Sequence, residues 1–264
     1  MANELVKAQM SKLKSILSAD SVKEQFQNAL KENAGAFVAS VIDLYSSDTY
    51  LQECDPNSVV MEALKAATLK LPINKQLGFA YIVPYKSKGK SIPQFQLGYK
   101  GYIQLAMRTG QYKFLNTGVV YEGVEVSQDL LTGSIKFSGN PTSDKAIGYF
   151  AHIELTNGFS KSVHMTKDEV TKHAKRYSKS FGFDTSAWKT NFDEMAQKTV
   201  LRKLLSHYGI MSTEMISAFT SDKDDDTESR VQSEVAMDAN SETLDVNYEV
   251  VSDPEPEQKE GPDF

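Results

Sequence analysis

The last 44 residues limit what this chain can fold into, because their composition cannot support a packed core. Residues 221–264 hold 15 acidic and 3 basic residues and few large apolar ones. A segment of this kind does not bury enough apolar surface to offset the entropy of ordering it. We therefore predict a disordered acidic tail over residues 220–264, with an interaction or solubility role, and confine the fold to the residues before it.

The rest of the chain carries the opposite charge. Residues 1–220 hold 26 basic and 20 acidic residues, and such a basic body favours a nucleic-acid partner. The single cysteine, Cys54, excludes an intramolecular disulfide framework and fits a reducing compartment. No apolar run approaches the ~20 residues that span a bilayer, and the first residues contain no apolar block of signal-peptide length. We expect a cytoplasmic protein with no membrane partner.

The stretch between Glu62 and Glu122 contains no acidic residue. It interleaves basic and aromatic residues, which suits a groove for single-stranded nucleic acid, where cations meet phosphates and rings stack on bases. The aromatics also suit core strands, and the lysines a solvated face, so both interpretations stay open. The basic residues are Lys65, Lys70, Lys75, Lys86, Lys88, Lys90, Lys100, Arg108 and Lys113. The aromatics are Phe79, Tyr81, Tyr85, Phe95, Tyr99, Tyr102, Tyr112, Phe114 and Tyr121.

Helical periodicity marks the N-terminal region. It covers residues 4–32 and 36–45, but the first of these segments has few core-sized side chains. We therefore expect region 1–54 to form helices that contact a neighbouring subunit rather than their own domain. Asp55 followed by Pro56 predicts the start of a further helix, because Asp caps a helix and Pro suits its first position.

Residues 55–219 are predicted to form the core domain. The clearest strand alternates apolar and polar residues from Ile147 to Leu155, and a turn at Asn157-Gly158 follows it. Residues 79–83 are apolar on both faces, which predicts a buried strand. A second strand returns beside it after a basic hairpin tip.

Helices complete the predicted core domain. A helix is expected over residues 98–109, and Thr166 with Glu169 predicts a capping box at the start of another. A long helix is expected from about 184 to 206. This order predicts an α+β fold, in which helices flank a largely antiparallel sheet.

Several kinds of chemistry lack their residue patterns. Gly89-Lys90-Ser91 ends like a phosphate-binding loop, but position 84 is proline where that loop needs glycine. The four histidines show no metal-ligand spacing, and Asp193-Glu194 is the only acidic pair in the last long helix. A nuclease would need a carboxylate cluster. We therefore expect no catalytic residue, no metal-binding residue and no required cofactor.

One cationic pair in the last long helix stands out by its spacing. Lys198 and Arg202 are four residues apart, which places both on one helical face about 6 Å from each other, close to the phosphate spacing of a strand. Lys203 adds charge beside them. This pattern favours phosphate binding, and a solvated amphipathic face is the alternative.

Two sequence blocks are specific when they occur together. Residues 98–110 read GYKGYIQLAMRTG and residues 195–202 read MAQKTVLR, and GFAYIVPY at 78–85 precedes both. With these motifs the chain resembles the RecT family of phage-type single-strand annealing proteins, over about residues 68–205. The first 60 residues and the acidic tail lie outside the resemblance.

The resemblance implies an ATP-independent recombinase that is not an enzyme. Such a protein coats single-stranded DNA left by a partner exonuclease, assembles into rings or helical filaments, and anneals a complementary strand during homologous recombination. Expected partners are single-stranded DNA, the annealed duplex, further copies of the chain, the exonuclease and a host single-strand-binding protein. Magnesium is expected only to modulate DNA binding. The alternative function is that of a passive single-stranded DNA-binding protein, which protects strands without annealing them.

Annealing sets a requirement on the contacts, because base edges must stay free for pairing while the protein holds phosphates. We expect phosphate contacts from Lys100, Arg108, Lys113, Lys198 and Arg202. Lys203 is a further DNA-binding candidate. Tyr99 is expected either to stack between bases or to fill the core. Lys86 and Lys88 on the hairpin tip are expected to reach an incoming strand or the next subunit.

Overall fold

The computed structural model describes residues 2–87, 89–178, 180–184 and 186–222. Lys88 lies outside these residues, as does the predicted acidic tail from position 223 onwards. The described helices are α1 (Ala2–Ser18), α2 (Asp20–Leu30), α3 (Ala34–Ser47), α4 (Pro56–Thr68), α5 (Tyr99–Arg108), α6 (Lys167–Tyr177), α7 (Ala187–Thr190), α8 (Phe192–Tyr208) and α9 (Thr213–Ser221). The described strands are β1 (Ala80–Ser87), β2 (Lys90–Leu97), β3 (Tyr112–Tyr121), β4 (Glu125–Gln128), β5 (Ile135–Ser138), β6 (Ala146–Leu155) and β7 (Ser160–Thr166).

All strand pairs among the described residues are antiparallel. Strands β1 and β2 form one hairpin, β4 and β5 form another, and β3, β6 and β7 form a three-stranded sheet with β6 in the centre. Helices pack against these sheets, so the predicted α+β class with antiparallel strands flanked by helices is confirmed. The strands divide among three sheets in the described part of the chain rather than forming one.

The central strand β6 shows the predicted alternation. Tyr149, Ala151 and Ile153 are fully buried, and helix α8 packs against this strand. Phe150 points to the opposite face, where the β4–β5 hairpin supplies Phe137 with its ring centroid 5.2 Å away. The period-two pattern is therefore confirmed. One face of β6 packs against α8, and the opposite face packs against the small β4–β5 hairpin.

The N-terminal helices belong to the same hydrophobic core as the rest of the fold. Leu13, Leu17 and Phe26 are buried, and α1 and α2 pack against α4. The expectation that these helices pack on a neighbouring subunit instead of their own domain is wrong. Their few apolar side chains suffice to join the core because they converge on α4. Lys12 of α1 also donates a 2.7 Å hydrogen bond to Asp55, the residue that caps α4.

Local helix signals are confirmed where they depend on nearby residues. The Asp55 side chain accepts a hydrogen bond from the Ser58 amide and so caps α4. Thr166 and Glu169 form the predicted capping box of α6. The long helix expected from 184 to 206 is instead two helices, because the backbone breaks at Asn191 between α7 and α8.

The end of the folded core lies further along the chain than predicted. Helix α9 runs through Ser221, and Asp222 is fully buried. The boundary expected between residues 219 and 220 is therefore wrong for residues 220–222.

Candidate nucleic-acid interface

The first strand and helix α5 meet at unusually close range. Gly98 donates a 2.9 Å backbone hydrogen bond to the Phe79 carbonyl. A Cβ atom at Gly98 would overlap the carbonyl oxygen of Gly78, and one at Gly101 would overlap that of Phe79. Glycine is therefore required at both positions, and this contact brings residues 78–81 beside the N-terminal end of α5.

This contact assembles a half-buried group of aromatic and basic side chains, which we call the Tyr81 cluster. It consists of Tyr81, Tyr99 and Lys100. The Lys100 ammonium lies 5.9 Å from the centroid of the Tyr99 ring, a cation–π distance. A Cβ atom on Gly78 would lie 3.2 Å from Tyr81 Oη and 3.7 Å from Lys100 Nζ, so both groups adjoin the same small space.

Helix α8 borders the Tyr81 cluster with two charges of opposite sign. Burial, with the charge of Glu194, raises the pKa of the Tyr81 phenol, whereas the charge of Lys198 lowers it. Both charged side chains therefore act on the phenol from one helix. Of the predicted site residues, the structure thus brings together Tyr99 and Lys100.

Lys198 and Arg202 are not an exposed cationic row. They are only 5% and 8% exposed, and both form ion pairs with Asp222, at 3.1 Å for Lys198 Nζ and 3.9 Å for Arg202 Nη1. The alternative of a solvated amphipathic face is wrong for these two residues, because Phe219 of α9 lies over the Arg202 guanidinium and the Asp222 carboxylate pairs with both cations. Phosphate binding by the pair stays a prediction. Lys203, the next residue along, is exposed.

The Asp222 carboxylate also binds the α5 motif. It accepts a 3.0 Å hydrogen bond from the Leu97 amide and a 2.7 Å hydrogen bond from Tyr102 Oη. Sequence reasoning missed Asp222 and Tyr102, since Asp222 begins an acidic run and looks like part of the tail. No local signal distinguishes it from the acids that follow.

Arg108 is exposed, but its guanidinium group is engaged with the backbone. It donates hydrogen bonds of 2.7 Å and 2.9 Å to the carbonyls of Leu69 and Lys70, at the C-terminal end of α4. A bidentate guanidinium in this place holds the α4 terminus against α5. The phosphate contact predicted for Arg108 therefore competes with the hydrogen bonds that its guanidinium group already donates to the backbone.

The remaining predicted cations lie on separate elements. Lys113 on β3 is largely exposed and forms an ion pair with Glu154 on β6. Lys86 is exposed near the tip of the β1–β2 hairpin, and Lys88 lies outside the described residues. The structure does not bring Lys86, Lys113 or Arg108 into the Tyr81 cluster.

The aromatics of the acid-free stretch divide between core and surface. Phe95, Tyr102 and Tyr112 are buried, which fits the core interpretation. Tyr81 and Tyr99 are half-buried, and Phe114 is 51% exposed on the outer face of the three-stranded sheet. The core interpretation is thus confirmed for the buried rings, and stacking on bases stays a prediction for Tyr81, Tyr99 and Phe114.

The described residues offer neither a metal centre nor a membrane-spanning helix. Within the described ranges, no group of three or more His, Cys, Asp and Glu side chains could hold a metal ion. No described helix is both long and apolar enough to cross a membrane.

Comparison with known proteins decides the family. A profile of the RecT family matches residues 35–236, which is well over half of the chain. The chain belongs to the RecT family. The RecT match extends beyond the motifs found by sequence reasoning and includes the whole of α9 and Asp222.

Two known proteins show similarity to most of the chain. It is 47% identical over 231 residues to "Uncharacterized protein YqaK" of Bacillus subtilis (strain 168), covering 87% of this chain and 78% of the relative. It is 29% identical over 203 residues to "Protein RecT" of Escherichia coli (strain K12), covering 73% of this chain and 74% of that protein. The RecT resemblance recognised from the motifs is thus confirmed.

Proposed function

We propose that this protein binds single-stranded DNA through its phosphates and anneals complementary strands without hydrolysing a nucleotide. Membership of the RecT family supports a single-strand annealing protein in recombination. The observation that carries the proposal to this chain is the Tyr81 cluster, which places a tyrosine–lysine pair at the start of α5, within the motif that carries the resemblance. Partnerships with an exonuclease and with a host single-strand-binding protein in the cytoplasm are part of the same proposal.

The physical logic follows from what annealing requires. Two strands repel each other through their phosphates, and bound lysine and arginine side chains reduce this repulsion. Contacts to phosphate and sugar carry no sequence information, so the bases stay available for a complementary strand. No step in this scheme breaks a covalent bond, and magnesium is proposed only as a modulator of DNA binding.

Assembly into an oligomer on DNA is the second part of the proposal. The tip of the β4–β5 hairpin carries Leu130 and Leu131, which are 94% and 96% exposed. Their loop is ordered by Asp129, whose side chain accepts hydrogen bonds from the amides of Leu131 and Thr132. An apolar pair held this far into solvent suits a contact with another protein surface, and we assign that surface to a second copy of the chain.

A passive single-stranded DNA-binding protein is the alternative function. It would use the same basic and aromatic surface but would slow the pairing of two strands. The RecT family favours annealing, whereas composition and the Tyr81 cluster fit both functions.

The variant Lys100→Ala tests the phosphate contact. We expect it to weaken binding to all single-strand sequences about equally and to flatten the slope of log affinity against log salt by ~0.7, the value for one lost phosphate contact. Fluorescence anisotropy with labelled strands of several sequences over a range of salt concentrations measures both effects. Lys145→Ala is the control, because Lys145 is 67% exposed and pairs with Glu122 on another part of the surface. A loss confined to one sequence, with the slope unchanged, would contradict a phosphate contact.

A further inference from the structure

Asp222 is a fully buried carboxylate immediately after the last residue of α9. Donors from three elements converge on it. The Leu97 amide at the end of β2, Tyr102 Oη of α5 and Lys198 Nζ of α8 donate hydrogen bonds to it, and Arg202 Nη1 of α8 forms an ion pair with it at 3.9 Å. We call this group of donors the Asp222 site.

The donor set of the Asp222 site suits a phosphate as well as a carboxylate. A backbone amide, a phenol hydroxyl, an ammonium and a guanidinium group are all groups that bind phosphate oxygens. Its two cations, Lys198 and Arg202, are four residues apart on one helix, the spacing from which sequence reasoning expects phosphate contacts. Burial alone therefore does not remove these residues from the DNA interface, because their present partner is itself an oxyanion.

We propose that the Asp222 site binds a backbone phosphate of single-stranded DNA, and that Asp222 occupies this site in the DNA-free protein and leaves it when a strand binds. The proposal rests on the proposed function. It adds to it one specific position for a DNA phosphate and names Asp222 as the group that competes for this position. The strand must displace a carboxylate of the same chain before it reaches Lys198 and Arg202.

The position of Asp222 makes its departure physically reasonable. The C-terminal end of a helix carries partial negative charge, so a carboxylate beside it is unfavourable without cations. Helix α9 has nine residues, a length at which a helix is only marginally stable without tertiary contacts. Phe219 supplies such contacts by packing on the Tyr102 ring at 5.0 Å and on the Arg202 guanidinium at 5.6 Å. The last turn of α9 is thus held by the same residues that hold the carboxylate.

The Asp222 site is continuous with the Tyr81 cluster. Leu97, whose amide binds Asp222, directly precedes Gly98, and a Cβ atom at Gly98 would lie 3.1 Å from the Tyr81 ring. Tyr99 and Lys100 follow two and three residues after Leu97. A strand held at Tyr99 and Lys100 therefore lies close to the Asp222 site.

The variant Asp222→Asn tests the proposal, with Glu214→Gln as its matched control. Each change replaces one acid by its amide, Glu214 in the first turn of α9 and Asp222 just after its last residue, so the two alter net charge equally, but only Asp222 binds Lys198 and Arg202. In anisotropy titrations of the full chain with a labelled oligothymidylate, we expect Asp222→Asn to lower Kd by about fivefold to tenfold relative to Glu214→Gln, because a charge-assisted competitor is lost. Equal Kd values for the two variants, or weaker binding by a folded Asp222→Asn, would overturn the proposal.

Hydrogen exchange of the unmodified chain gives a second test that needs no variant to fold. Adding the oligothymidylate should speed amide exchange in the segment 218–222, at the end of α9, while exchange in α8 stays the same or slows. If a complex forms but exchange in 218–222 is unchanged or slower, only the proposed displacement of Asp222 is overturned, and the proposed function is not. A chain that binds no single-stranded DNA at all would instead overturn the proposed function together with the inference.

Discussion

At the scale of single residues, two glycines determine how closely the first strand approaches α5. Gly98 and Gly101 each face a backbone carbonyl at a distance that leaves no room for a side chain. The Tyr81 cluster depends on this approach, because it places Tyr81 beside Lys100. The motif that carries the family resemblance is therefore in part a packing requirement, beside the DNA contacts that we propose for Tyr99 and Lys100.

The variant Gly101→Ala should destabilise the fold although alanine favours helices. Its Cβ would overlap the Phe79 carbonyl and the Leu97 side chain, and overpacking of this kind costs ~1–3 kcal/mol. Gly35→Ala in α3 is the matched control, because Gly35 has no atom within 4 Å of the added carbon, and there we expect a gain of up to ~1 kcal/mol. Urea unfolding followed by circular dichroism measures both. Equal effects of the two substitutions would show that the β1–α5 contact is looser than described.

At the scale of whole elements, sequence reasoning succeeded where the signal was local. The alternation of β6, the Asp55 cap and the Thr166 capping box depend on a few neighbouring residues, and all three are confirmed. The break at Asn191 and helix α9 were missed, since neither is specified by a strong local signal. The burial of Lys198 could not be predicted because its partner, Asp222, is 24 residues away in sequence.

The cap of α4 should show a pH-dependent contribution to stability. A hydrogen bond from Lys12 lowers the pKa of Asp55, with a smaller effect in the same direction from the Ser58 amide and an opposing one from burial. The contribution of the ionised carboxylate is thus fully present above about pH 4, the usual value for Asp, and is lost as the pH falls through the lowered folded-state pKa.

Asp55→Ala tests this contribution. We expect it to lower the free energy of unfolding by ~1 kcal/mol at neutral pH, and its deficit relative to the unmodified protein should shrink as the pH falls below 4. Asp55→Asn retains a capping acceptor without the charge and should show a smaller deficit at neutral pH. Chemical denaturation at several pH values provides the measurement. A deficit of Asp55→Ala that grows on acidification would contradict the role given to the ion pair with Lys12.

At the scale of the whole molecule, charge and apolar exposure are distributed unevenly. The basic residues 1–220 precede an acidic segment, and sequence alone predicts this division and the nucleic-acid partner it favours. Sequence alone does not predict that Asp222 is buried beside Lys198 and Arg202, nor that Leu130 and Leu131 project from the β4–β5 hairpin. Both features depend on how separate elements pack together.

Replacing the exposed leucines tests the proposed assembly. The double variant Leu130→Ser with Leu131→Ser should leave the melting temperature nearly unchanged, because neither side chain is buried, yet it should reduce the oligomer formed on single-stranded DNA. Light scattering and negative-stain electron microscopy measure the size of the assembly. The control is Met61→Ser, which replaces another exposed apolar side chain on α4. Assemblies of unchanged size would place the contact between subunits elsewhere.

The most direct test of the central claim is a dye-reported annealing assay with two complementary oligonucleotides, the purified full chain and no nucleotide. We predict that pairing is much faster with the protein than without it and that both strands remain intact at the end of the reaction. Binding accompanied by slower pairing would contradict annealing and assign the protein to the passive single-strand binders.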